Sequence, residues 1–99
     1  MPYLIYAIDY DNKDVVREEV RELHRQYLRS LGVKLLASGA LLDEDNHTVI
    51  GGISLLDTDF YEEAKKIALE DPYEKSKIRK EVKILKWRKR WWNGDFLGN

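Results

Sequence analysis

The stretch "LEDPYEKS", Leu69 to Ser76, sets an acid, a proline and an aromatic where a helix should be stopping. Aspartate followed by proline, with glutamate three positions on, is a helix start: Asp71 at the N-cap, Pro72 at the first helical position, Glu74 at the third. A carboxylate has two oxygens, so the same group can cap and also face a pocket. His24, inside "LHRQYL", falls between Leu31 and Leu28 on a helical wheel. That is the margin of the apolar stripe, away from Arg21 and Arg25. Imidazole titrates near neutrality unaided, so His24 is a candidate general base or nucleophile. A core-edge ring satisfied by backbone is the structural alternative. If the helix bearing His24 lies beside the end of the second helix, Asp71 accepts a hydrogen bond from one ring nitrogen. The tautomer is then fixed and the other nitrogen made more basic, as in a hydrolase triad. The residues alone leave both readings open.

Ser38–Gly39 interrupts "VKLLASGALL" (Val33 to Leu42). It reads either as a bulge or as a place where a hydroxyl and backbone amides bind a substrate oxygen. No G-x-S-x-G elbow surrounds it, so Ser38 is not an acyl-forming nucleophile. His47 lies in a polar loop without a second ligand at helical spacing, so no metal site is expected. Gly51–Gly52 matches no dinucleotide fingerprint, and no cofactor is expected. The basic aromatic run "KWRKRWW" has the composition of a phosphate- and base-binding segment. Tryptophan and arginine are equally typical of subunit contacts, and nucleic acid is the less favoured partner.

The elements that must position these groups follow from periodicity. "YLIYAIDY" is a strand with Leu4, Tyr6 and Ile8 on one face and Tyr3, Ile5 and Ala7 on the other. Val16, Val20, Leu23, Tyr27 and Leu31 mark an amphipathic helix, with Asp14 as its expected cap and Gly32 as its stop. Strands over Val33–Leu42 and Thr48–Leu56 flank the loop "DEDNH". Asp59 and Glu62 approximate a capping box before a second helix, whose stripe is Phe60, Ala64, Ile67 and Ala68. Pro72 ends that helix, and Arg79–Lys89 is the last strand. The order β-α-β-β-α-β is the ferredoxin-like α+β plan, two helices over one face of a four-stranded antiparallel sheet. The opposite face keeps its apolar residues. The expectation is that the aromatic tail covers it or that two sheets pack face to face in a dimer. Residues 1–89 form the expected domain and 90–99 an aromatic tail.

Ninety-nine residues suit one domain, and 43% hydrophobic content is too high for disorder. No apolar run has bilayer-spanning length. Without cysteine, disulfides and thiolate metal sites are excluded. No basic region or cleavage-site pattern opens the sequence, so the expected compartment is the cytoplasm. Residues 75–90 hold nine basic side chains against Glu81, a local charge of +8, so the rest carries −9 in a chain of net charge −1. Such polarity suits an anion-binding face or surfaces that meet in an oligomer.

"LIYAIDY", "LHRQYL", "LLASGALLDEDNHTVIGG" and "EEAKKIALEDPYEKS", with a closing strand ending at Trp87, resemble the YCII-related domain family over about residues 3–89. The resemblance implies a dimeric α+β barrel similar to muconolactone isomerase. It also implies a His–Asp pair as active site, here His24 and Asp71. Some relatives act in breakdown of chlorinated hydroxyaromatics. The expected function is an isomerase or lyase acting on a small cyclic or aromatic acid. His24 moves the proton or adds as a nucleophile, Asp71 orients it, Ser38 and Gly39 hold a substrate oxygen, and Tyr73 lines the pocket. The alternative is a non-catalytic module for a small ligand or polyanion. A metal-free monooxygenase is a third reading.

Overall fold

The computed structural model describes residues 2–98. Strand β1 (Tyr3–Asp9) alternates strictly, with Tyr3, Ile5, Ala7 and Asp9 buried and the residues between them half-buried. Helix α1 spans Asp14–Ser30, and a 3-10 turn at Gly32–Lys34 leads into β2 (Leu35–Leu42). Strand β3 (Val49–Leu56), helix α2 (Tyr61–Glu70), the short helix α3 (Pro72–Lys75) and β4 (Arg79–Lys86) complete the domain. The four strands make one antiparallel sheet in the order β2-β3-β1-β4. This is the expected α+β plan, with α3 as an added turn after Pro72.

Register decides which side chains meet. Tyr3 lies opposite Leu56 of β3 and Lys86 of β4, and Ile5 lies opposite Ile84. The core forms on that face from Tyr3, Ile5, Leu56, Ala64 and Ala68, with Leu31, Leu35, Ile67, Val82 and Ile84 packed around it. Ala64 and Ala68 have almost no exposed surface, so α2 sits close on the sheet. Gly51 permits a second close approach, because a Cβ there would collide with the Ala7 carbonyl.

Helix α1 packs differently. None of its residues is buried. Leu23, expected in the apolar stripe, is 59% exposed. It sits about 100° around the helix from His24; Val16, Val20, Tyr27 and Leu31 of that stripe are half-buried, and Arg17, His24 and Leu28 turn inward beside them. The helix is tied down by polar contacts along its length. Tyr27 donates its hydroxyl to the Ile67 carbonyl at 2.8 Å, and Arg17 and His24 bond to acids elsewhere in the fold. The space between α1 and strands β1–β3 is therefore a cleft rather than core.

Several local expectations change. Asp14 is the first residue of α1, not its cap; the capping position is Lys13, without a side-chain cap. Asp14 remains in the first turn, where an acid favours the helix dipole. Phe60, not Asp59, precedes α2, and its amide bonds to the Thr58 hydroxyl at 3.2 Å. The ladder irregularities of β2 fall at Leu35/Ala37 and Leu41/Leu42, so Ser38–Gly39 is regular strand and not a bulge. Strand β4 stops at Lys86, and residues 33 and 34 belong to the 3-10 turn. The tail forms its own hairpin, β5 (Trp91–Trp92) and β6 (Asp95–Phe96). Asn93 and Gly94 both take positive φ, as a tight two-residue hairpin turn requires. Trp91 packs on Phe96 at 4.9 Å, yet residues 91–97 are all exposed. None of residues 91–97 is buried against the sheet.

Candidate active site

The Asp-Pro start of α3 is the local device that builds the site. Asp71 caps α3 in extended conformation, and its Oδ1 accepts the Tyr73 amide at 2.9 Å. The same oxygen accepts from His24 Nδ1 at 2.8 Å. Oδ2 accepts from Arg79 at 2.9 Å. The sequence reading assigned capping and pocket contact to different oxygens. In the structure Oδ1 does both, and Oδ2 is held by an arginine that reading had not connected to the site. Asp71 is 4% exposed and the Arg79 side chain 9%. Burial pushes the Asp71 carboxyl up. The His24 hydrogen bond, the Arg79 charge and the Tyr73 amide together outweigh it and hold the group below its ordinary value.

An ionised Asp71 accepts only, so His24 Nδ1 carries the hydrogen. In the neutral ring, Nε2 then holds the lone pair. Among the described residues Nε2 has no hydrogen-bond partner. The ring stacks on Tyr73 with centroids 3.8 Å apart and planes 8° apart. Asp71 and Tyr73 thus fix both the tautomer and the tilt of the imidazole.

His24 and Tyr73 line a cleft of about 1310 Å³ between α1 and the sheet. Ser38 lines its sheet side, its hydroxyl 2.9 Å from that of Ser54. Gly39 also lines it, paired with Ile53 in the ladder. All five candidate residues except Asp71 reach the cleft directly, and Asp71 acts from behind the imidazole. His47 lies in the exposed loop at the margin of the cleft. Among the described residues no cluster of three or more histidines or acids is suited to a metal ion.

Arg17 and Asp9, like Arg79, escaped the sequence reading. Arg17 lies in the cleft wall, with Nε 2.6 Å from Asp9 Oδ2 and its guanidinium carbon 4.5 Å from the centre of the Tyr73 ring. Both were detectable in principle. Arg17 is seven residues, two turns, before His24 on the same helix face. Asp9 continues the buried alternation of Tyr3, Ile5 and Ala7.

Comparison with known proteins agrees with this architecture. A family model described as the YCII-related domain matches residues 1–88. No curated protein matches in sequence. Among solved structures, the chain is similar to the 5-chloro-2-hydroxyhydroquinone dehydrochlorinase of Burkholderia phenoliruptrix, determined in complex with 2,5-dihydroxybenzoquinone. The identity is 22%, over 89% of this chain and 94% of that chain, with a TM-score of 0.79. At that identity the likeness speaks for the fold. With the family model spanning nearly the whole length, this chain belongs to the YCII-related domain family.

Proposed function

We propose that the protein is a small-molecule enzyme of the lyase or isomerase kind, in which His24 moves a proton and Asp71 holds it in position. The observation that carries this reading is the 2.8 Å bond from His24 Nδ1 to a buried carboxylate, with the ring in the wall of an open cleft. In an isomerisation, Nε2 takes a proton from the substrate and returns it at another atom. In an elimination, the electron pair left behind expels a leaving group with its bonding electrons. The imidazolium formed in either case is stabilised by Asp71, which stays ionised throughout. Ser38 and the Gly39 backbone are the proposed contacts for a substrate oxygen, and the Tyr73 ring is part of the binding wall.

The substrate class is a small cyclic or aromatic acid, including hydroxylated aromatics. Support comes from the structural neighbour, whose name describes loss of hydrogen chloride from a chlorinated hydroxyhydroquinone. No helix among the described residues is long and apolar enough to cross a membrane. The cytoplasm remains the proposed compartment.

A homodimer is part of the proposal. The sheet face away from the helices carries an apolar row, Ala37, Leu55, Leu4 and Leu85, aligned by the ladder register. With residues 91–97 exposed, that face is the proposed contact for a second copy. Sedimentation at micromolar concentration is expected to give twice the chain mass; a monomer there contradicts this part.

The catalytic reading is tested by solvent exchange. Hydroxylated aromatic acids and unsaturated lactones are incubated in deuterium oxide and followed by proton NMR. The protein is expected to catalyse exchange at an acidic C–H position, and His24→Ala to lower the rate about 10²–10⁴-fold, the usual worth of a positioned base. Equal exchange by His24→Ala, with the fold intact, contradicts the mechanism.

A further inference from the structure

Arg17 is 15% exposed at its side chain, yet the fold uses little of it. A guanidinium offers five N–H donors. Here Nε makes one short bond, 2.6 Å to Asp9 Oδ2. One terminal nitrogen reaches the Gly51 carbonyl at 3.5 Å, the outer limit of a hydrogen bond. The other has no partner among the described residues. Asp9 does not complete the usual two-pronged pairing, because its Oδ1 is buried and unpartnered. Asp9 therefore anchors the base of the fork and leaves most of its donors unused.

Those donors belong to a group that lines the same cleft as His24. The Tyr73 ring ties the two together, with the imidazole at 3.8 Å and the guanidinium carbon at 4.5 Å. The cleft wall carries six lysine and arginine side chains against four aspartates and glutamates, in a chain whose net charge is −1. A fixed, partly desolvated guanidinium in such a wall favours a planar oxyanion, which accepts two parallel N–H bonds.

We propose that Arg17, anchored by Asp9 and braced by Tyr73, is the seat for a carboxylate or phenolate oxygen of the ligand, and so orients its reactive end toward His24. This rests on the cleft being the ligand site and names the charge its ligand carries. Arg17 is a binding residue; Asp9 is a positioning residue that acts through it.

The probes are benzoate and its neutral isostere benzamide, titrated into the full chain with NMR observation of the arginine side-chain nitrogens. Benzoate is expected to bind at least about tenfold more tightly than benzamide and to shift the Arg17 terminal nitrogens, as charge-assisted bonds require. Arg17→Met is expected to lose about tenfold or more in benzoate affinity with little change for benzamide. Arg17→Lys, which keeps the charge and the bulk, is expected to recover only part of the loss. His24→Ala is expected to keep the preference for benzoate over benzamide while losing proton exchange. Benzoate binding unchanged in Arg17→Met overturns the seat, as does no benzoate binding by the parent at about 10 mM. If Arg17→Met fails to fold, unmoved Arg17 nitrogens in the parent overturn it instead. Proton exchange surviving in His24→Ala while Arg17→Met loses benzoate removes the catalytic reading and leaves the seat standing.

Discussion

Replacing Asp71 with alanine removes three hydrogen bonds at once: from His24 at 2.8 Å, from the Tyr73 amide at 2.9 Å and from Arg79 at 2.9 Å. The consequence is worse than three lost bonds. Arg79, 9% exposed at its side chain, keeps its charge and loses its counter-ion. Breaking a buried pair by removing one member costs about 3–5 kcal/mol, most of it the stranded partner. A domain of this size has only about 5–15 kcal/mol in total. At about 4–8 °C per kcal/mol, the melting temperature falls by about 12–40 °C. His24→Ala removes a single bond to the carboxylate and leaves Asp71 paired with Arg79, so its expected loss is about 1.5–3 kcal/mol. Urea denaturation followed by circular dichroism and thermal melts measure both. Arg79→Met combined with Asp71→Ala is expected to recover part of the loss, since the stranded charge is gone. An Asp71→Ala protein within about 1 kcal/mol of its parent refutes the reasoning, because the acid then bears no buried charge pairing.

Acid stability follows from the same carboxylate. Its folded value lies below the unfolded value of 3.8. Between those two values the unfolded chain binds more protons, so stability rises with pH there. The contribution is whole above the unfolded value and lost as pH falls through the folded one; Asp71→Asn is expected to flatten that part of the acid denaturation curve. On the alkaline side, burial first, and the Glu70 and Asp71 charges second, push the Tyr27 phenol up from 10.0 to about 12, against a smaller opposing effect of Arg79. The sign is reversed for this raised group. Its contribution is intact below the unfolded value and lost as pH rises through about 12, and Tyr27→Phe is expected to remove that alkaline dependence in a pH-resolved melt. Gly51→Ala drives a methyl into the Ala7 carbonyl and is expected to cost about 1–3 kcal/mol by urea titration. Gly39→Ala, where nothing lies within 4 Å of the added carbon, is expected to cost none.

The α+β plan was legible because each strand and helix carries its own period. Tyr3, Ile5 and Ala7 alternate, Ala64 and Ala68 are four apart, and Pro72 marks a stop that no packing overrides. His24 and Asp71 were legible as types in suggestive places, and the structure brings them into contact. Less visible was anything set by long-range placement. Asp71 and Arg79 are eight residues apart, and nothing in the intervening sequence says that the chain turns back through a positive-φ Lys77 to join them. Leu23 misled because a stripe read as purely apolar hides a polar inward line, Arg17 and His24, when a helix borders a cleft and not a core. The expected caps at Asp14 and Asp59 failed because Lys13 and Phe60 take those positions, with Thr58 serving the Phe60 amide.

The central claim is a tautomer: hydrogen on His24 Nδ1, pinned by an ionised acid, with Nε2 bare toward the cleft. Long-range proton–nitrogen NMR on the uniformly labelled protein reads both ring nitrogens directly. The account predicts that neutral His24 shows a protonated Nδ1 and an unprotonated Nε2, and that Asp71→Asn perturbs this assignment while His47 is unmoved. A neutral His24 ring protonated at Nε2, or a spectrum indifferent to Asp71→Asn, contradicts it.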